Sequence, residues 1–277
     1  MLKQRVITAL ILAPLIVALI FLTQASVFAT LLGLAFLIGM WEWVRMSGVQ
    51  NHGLRGACLL GYAIAFALLW HACKTPWWWL PVLLGLGWWL VAFMWLTQHH
   101  FGAAHTAGHA ALKLLAGLFV VAPAWCAVVV MHGDMAHPST GHGHLWVCFF
   151  ACIVVAADIG AYSAGRRWGH AKLAPAISPG KTRAGVYGAL VCSGSVGLIG
   201  GALLHVPARL LPALVLLALI TVLFSIVGDL FESLIKRHAG VKDSGSLFPG
   251  HGGMFDRMDS IVAALPVFVL GKFLLGL

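Results

Sequence analysis

The chain has 277 residues, 61% of them hydrophobic and only 9% charged, with a mean hydropathy of +0.96. A soluble domain of that length cannot bury so much apolar surface, and its apolar runs are continuous rather than alternating, which excludes a β-barrel and leaves a polytopic helical membrane protein. The formal net charge of +9 would suggest nucleic acid on a soluble protein; in short membrane loops it sets topology and meets anionic headgroups, so no nucleic-acid partner is expected.

A membrane helix needs about 20 apolar residues, and about nine such spans are expected. They lie near 6–22, 26–44, 56–72, 77–97, 111–131, 145–164, 185–204, 210–228 and 260–277. The N-terminus imitates a signal peptide, but its apolar run is long for one and further spans follow at once, so it reads as a retained first helix. Pro14, Pro81 and Pro123 fall in or near spans, as membrane helices tolerate. Trp77, Trp78 and Trp79 read as interfacial anchors. Cys58, Cys73, Cys126, Cys148, Cys152 and Cys192 read as buried, reduced packing residues. Two histidine-rich loops (His99, His100, His105, His109; then His132, His137, His142, His144) have spacings compatible with a transition metal. His105 and His109 would share a helical face, but the group reads more simply as polar loop residues.

With the N-terminus cytoplasmic, all but Lys74, Arg209 and Lys272 of the 17 basic residues fall on the cytoplasmic side. The expected organisation is an N-terminal set of about five spans over 1–144 and a C-terminal catalytic membrane region over 145–277. The cytoplasmic loops of the latter are 165–184 and 229–259. Of the eight acidic residues, Glu42 and Asp134 are solitary in sequence. Asp158, Asp229, Glu232, Asp243, Asp256 and Asp259 belong to those two loops and the helix ends that feed them.

Asp158 interrupts an apolar helix, where a carboxylate costs a few kcal/mol, and it shares a face with Tyr162. Asp229, Glu232 and Lys236 form one stripe if the eighth helix continues past the membrane, which is also what an ordinary amphipathic end with internal salt bridges looks like. Asp256 and Asp259, three apart in "FDRMDS", would share a helical face. Carboxylates gathered this way repel unless a cation shares them, and hard oxygen ligands with open positions suit Mg²⁺. Arg166, Arg167, Lys172, Lys181, Arg183, Lys236, Arg237, Lys242 and Arg257 are interleaved with them. Acids for a metal and cations for phosphates are the composition of a metal–polyphosphate site.

"GSLFPGHGG" cannot hold a helix, but its backbone can approach phosphate oxygens closely. His251 within it bonds a phosphate or closes the turn. "SPGKT" (178–182) is a phosphate-friendly turn with Ser178, Lys181 and Thr182. It is no P-loop, because Pro175 stands where the required glycine belongs and no strand is expected before it.

With these residues assembled, "SLIKRHAGVKDSGSLFPGHGGMFDRMDS" (233–260) resembles the signature of the phosphatidate cytidylyltransferases, the CDP-diacylglycerol synthases. Ser233, Lys236, Arg237, Lys242, Asp243, His251, Gly252, Gly253, Asp256, Arg257 and Asp259 occupy its fixed places. The upstream elements at Asp158, Ala161, Tyr162, Gly165 and Arg166, and at Ser178, Pro179, Lys181 and Thr182, resemble the same family.

The resemblance implies CMP transfer from CTP to phosphatidate, with Mg²⁺ and often in a homodimer; a second cation, monovalent or not, is left open, and a bacterial inner membrane is the expected location. It implies Asp229 and Asp256 as metal ligands, to which Asp158 and Asp259 are added as candidates. Asp229, Asp256, Lys181 and Lys242 are then the catalytic set. Substrate binding would fall to Ser178, Thr182, Arg166, Arg183, Ser233, Lys236, Arg237, Asp243, His251, Gly252, Gly253 and Arg257. The competing class is an ion-coupled secondary transporter using buried Asp158 and Asp229. It does not explain why acids, cations and a glycine loop gather on one face.

Overall fold

The computed structural model describes residues 2–135, 142–248, 250 and 252–277, with side chains from residue 10 onward. Among these residues the chain forms nine α-helices: α1 (Leu2–Leu22), α2 (Ala25–Met46), α3 (His52–Cys73), α4 (Trp79–Thr97), α5 (Ala107–His132), α6 (Gly143–Trp168), α7 (Arg183–Leu203), α8 (Leu211–His238) and α9 (Asp259–Leu274). Seven of them, α2 to α8, are long and apolar enough to cross a membrane. α1 has 21 residues and is described with side chains only from residue 10, and α9 has 16 residues. The expected helical, polytopic class holds.

One helix organises the rest. Of the most apolar window of α5, 78% is buried, against 17% for α3. α5 packs against α2, α3, α4 and α9, while α3 turns Leu60, Ile64 and Leu68 outward. In water that outer face would be a liability; in lipid it is the ordinary exterior.

Two glycine crossings build the C-terminal half. A Cβ on Gly160 of α6 or on Gly188 of α7 would lie 2.3 Å from the other's carbonyl oxygen, so these helices touch backbone to backbone. A Cβ on Gly228 of α8 would lie 2.4 Å from the carbonyl oxygen of Asp259. That contact seats the start of α9 beside Asp229. With 28 residues, α8 is about 42 Å long at 1.5 Å per residue. This exceeds the roughly 30 Å hydrocarbon layer, so the turns carrying Asp229, Glu232 and Lys236 have the length to emerge as one continuous helix.

Several local expectations are corrected. The segment read as a turn without strands is an antiparallel hairpin, β1 (Lys172–Ala174) and β2 (Ser178–Thr182), paired Lys172↔Thr182 and Ala174↔Ser178. Pairing supplies the partners that the backbone groups of a short loop at a membrane surface need. Trp78 is buried against Phe273, with ring centroids 5.0 Å apart, and only Trp77 of the three tryptophans is strongly exposed. Cys152 lies exposed and Cys58, Cys148 and Cys192 are only partly buried; all six cysteines are free. His105 precedes α5 rather than sharing a helical face with His109. His132 is buried, stacked on Phe28 and bonded to the Ile20 carbonyl at 2.9 Å. His137 lies outside the described residues.

Candidate active site

A cleft of about 380 Å³ opens between α6, α7 and α8 beside the hairpin. α6 contributes Asp158, Tyr162 and Arg166, one helical turn apart on a single face. β2 contributes Lys181, and α8 contributes Asp229. Lys181 Nζ stands 2.6 Å from Asp229 Oδ2, and Ser233 Oγ donates to Asp229 Oδ1 at 3.3 Å. Arg166 donates to the Tyr162 hydroxyl at 3.2 Å. Asp158 is within electrostatic reach of Asp229, Lys181 and Arg257. The upstream motifs and α8 therefore meet in one place, because the glycine crossing of α6 and α7 carries the hairpin over the end of α8.

Asp229 also belongs to a group of acids. Carboxylate oxygens of Asp229, Glu232 and Asp259 all lie within 4.8 Å of one another. At that separation two bare carboxylates repel by about 3 kcal/mol at an effective dielectric of 20. Glu232 is 1% exposed. Its Oε2 accepts from Lys236 Nζ at 2.6 Å, while its Oε1 is buried without a hydrogen-bond donor. Burial first, and then the charge of Asp229, push the Asp259 carboxyl up to about 7. Burial first, and then the charge of Asp259, push the Glu232 carboxyl up to about 10. Beyond Lys181 and Lys236, such a group takes up a proton or a cation. Among the described residues no other group of histidines, cysteines and acids has ligand spacing.

Lys236 joins this group to the glycine-rich loop, since its Nζ also donates to Asp256 Oδ1 at 2.7 Å. Asp256 sits in a single 3-10 turn, Phe255–Arg257. Its Oδ2 accepts from Ser244 N (2.9 Å) and Gly253 N (2.7 Å) and lies 3.0 Å from Ser244 Oγ. Burial opposes its ionisation, but the Lys236 ammonium and the Gly253 N–H prevail and hold the carboxyl below the usual carboxylate range. The expectation that Asp256 and Asp259 share one helical face fails. The helix starts only at Asp259, after Met258 at φ −113°, so the two carboxylates serve different neighbours.

The remaining candidates divide. Gly252 has a φ of +82°, which glycine adopts without strain, and bridges to Phe248. Thr182 caps α7, accepting from Gly185 N at 3.1 Å. Ser178 pairs with Ala174 at the start of the hairpin's second strand. Arg237 donates to the carbonyls of Ile177 and Val241, both at 3.3 Å, so it fastens loops together. Arg183, Lys242, Asp243 and Arg257 are exposed around this end of the molecule. Pro249 and His251 lie outside the described residues.

Glu42, solitary in the sequence, is not solitary in space. It is buried, and its Oε2 accepts from Ser244 Oγ (2.6 Å) and Phe255 N (2.9 Å), its Oε1 from Met254 N (3.1 Å). A signal existed in "GMWEWVRM": a carboxylate inside an apolar helix incurs the same insertion cost that marked Asp158. Glu232 was visible only as part of a helical stripe. Its orphaned oxygen is a fact of packing.

The cytidylyltransferase family model matches residues 3–274. The chain is 38% identical to the phosphatidate cytidylyltransferase of Pseudomonas aeruginosa, across 97% of this chain and 96% of that one. It is 33% identical to the phosphatidate cytidylyltransferase of Haemophilus influenzae, across 97% of both, and 31% identical to that of Brucella suis, across 97% and 92%. Likeness of that extent reaches the N-terminal helices, where the motifs alone carried no information, and the chain belongs to the cytidylyltransferase family.

Proposed function

We propose that this protein is a phosphatidate cytidylyltransferase of a bacterial inner membrane, making CDP-diacylglycerol and pyrophosphate from CTP and phosphatidate. A phosphate oxygen of phosphatidate attacks the α-phosphorus of CTP, the bond from that phosphorus to the bridging oxygen of the β-phosphate breaks, and pyrophosphate leaves with its electron pair. The observation that carries the reading is the meeting of Lys181, Asp229 and the acidic group in a cleft whose walls continue into membrane-length helices. A water-borne nucleotide and a leaflet-borne lipid both have access to such a place. The N-terminus and the basic helix ends would then face the cytoplasm, and a homodimer belongs to the same proposal.

Phosphatidate is already anionic near neutral pH, so its attack requires no strong base and no covalent intermediate. The work left to the protein is orientation and charge neutralisation. Lys181 and Arg166 line the cleft and would hold phosphate oxygens. The acidic group fits Mg²⁺: Asp229, Glu232 and Asp259 would hold it, the orphaned Oε1 of Glu232 being the oxygen most in need of it. When bound, the cation supplies positive charge to the nucleotide phosphates. Asp158, on the opposite wall, faces the same cleft. Asp256, a ligand by resemblance, would have to exchange Lys236 for the metal to take that role; in the arrangement described it orients Lys236 and the loop. The ion-coupled transporter draws less support, because Asp229 is already paired with Lys181 at 2.6 Å.

The test is pyrophosphate release from CTP by the purified protein in detergent, with and without phosphatidate and with and without Mg²⁺, beside Asp229→Asn. Release that needs both phosphatidate and Mg²⁺, and that the variant abolishes, is expected. Absence of phosphatidate-dependent release in a folded preparation would reject the activity and make ion-driven transport in proteoliposomes the next assay.

A further inference from the structure

We infer that Glu42, from the second helix of the N-terminal half, is a positioning residue that sets the acidic group's affinity for its cation through the glycine-rich loop. The inference rests on the cation reading above and adds a residue outside the signature.

The Glu42 carboxylate fills a pocket made for it. A Cβ on Gly245 would lie 2.1 Å from Glu42 Oε1, and one on Gly253 would lie 2.2 Å from Glu42 Oε2. Two glycines of the loop thus close on the carboxylate from different places in the sequence, and no larger residue fits with Glu42 where it is. Arg45, nearly one turn further along α2, donates to the Ser244 carbonyl at 2.5 Å. Trp43 packs on Phe255 with ring centroids 4.9 Å apart. α2 therefore grips the loop at both of its ends, 242–245 and 252–256.

From Glu42 a continuous chain of polar contacts leads to the acids. Ser244 Oγ stands between Glu42 Oε2 (2.6 Å) and Asp256 Oδ2 (3.0 Å). Asp256 Oδ1 accepts from Lys236 Nζ at 2.7 Å, and Lys236 Nζ reaches Glu232 Oε2 at 2.6 Å. Glu232 belongs to the group of three clustered acids, which share Lys181 and Lys236 as their lysine partners. Lys236 thus stands between two carboxylates competing for it. The position of Asp256, held by Glu42 through the loop, decides how much of that positive charge the acidic group receives. Loosening the loop changes the competition without removing any member of it. Partners that orient metal ligands from behind typically change metal affinity by about 10- to 100-fold when lost.

The experiment measures Mn²⁺ binding to the full-length protein in detergent, from the electron paramagnetic resonance signal of free Mn²⁺. Wild type, Glu42→Gln and Ser244→Ala are compared, with thermal melting recorded in parallel. Glu42→Gln keeps the size of the side chain but turns an acceptor into a donor that faces backbone N–H groups; Ser244→Ala removes the hydroxyl between the two carboxylates. A change in Mn²⁺ dissociation constant of about tenfold for Glu42→Gln and a smaller change in the same direction for Ser244→Ala are expected. The Mg²⁺ concentration for half-maximal activity should move with them by more than kcat does. Variants that melt earlier but bind Mn²⁺ as wild type does would overturn the inference and leave Glu42 a purely structural residue. If Glu42→Gln cannot be purified folded, Ser244→Ala decides alone, unchanged binding counting against. Wild type that binds no Mn²⁺ overturns the cation reading itself, and the inference with it.

Discussion

On one side of Lys236 stand Glu42 and Asp256, whose oxygens accept from loop N–H groups, from Ser244 and from Lys236 itself. On the other stand Asp229, Glu232 and Asp259, with Lys181, Lys236 and Ser233 as their side-chain donors and one oxygen of Glu232 buried with none. Both groups sit at the same end of the same helices. Asp256 and Asp259 are only three residues apart, yet one carboxyl is held below the usual range and the other is pushed up to about 7. The difference teaches how donors set a carboxylate's state. Carboxylates supplied with backbone N–H groups stay ionised and hold the loop; clustered carboxylates with fewer donors than oxygens are pushed toward their protonated form.

The comparison is broken most severely through the second group. Asp259→Asn removes one like charge, so catalysis should fall by about 10²- to 10³-fold, as for loss of a group that stabilises developing charge, while the melting temperature stays level or rises. Pyrophosphate release and thermal melting on the same sample check both halves. A variant that is inactive because it is unstable would contradict the assignment.

Asp256→Asn should do the reverse in stability. It leaves Lys236 with one carboxylate fewer and weakens the loop, which by analogy with broken buried ion pairs costs about 3 kcal/mol. Denaturant titration in detergent would measure this. Should Asp256→Asn melt as wild type does, the donor-rich group is not holding the loop.

The smallest effect is on pH. Lowering the pH from about 8 to about 6 carries Asp259 through its raised value, so a proton competes with the cation and Mn²⁺ binding weakens, by at most about tenfold per unit below the midpoint. Asp256, whose carboxyl is held low, stays ionised throughout that interval, so the loop should not loosen. Cation affinity that is flat over this interval would mean that Asp259 does not exchange a proton for the metal.

Much of this end of the molecule was legible in the sequence. Asp158 and Tyr162, four apart in a helix, do line one cleft, and the stripe of Asp229, Glu232 and Lys236 is a stripe on a continuous helix, because helical periodicity dictates which side chains are neighbours. The described residues of the glycine-rich segment form no helix, as closely spaced glycines favour. Less legible were the partners of those residues. The stretch 178–182 reads in sequence as a turn because the strands of its hairpin are three and five residues long, too short for alternation to register.

Composition and periodicity by themselves determined that this chain is a helical membrane protein, since apolar run length and backbone hydrogen bonding leave a lipid-immersed segment few alternatives. Motif spacing singled out a set of acids and bases to be sought at one site. Only the tertiary structure decided how the acids divide. Glu42 lies 202 residues before Ser244 along the chain, and no local rule joins them. They meet because α2 packs against the 3-10 turn and Gly228 admits the start of α9. Whether a carboxylate ends as a brace for backbone or as a ligand in waiting depends on the donors that arrive from elsewhere in the fold.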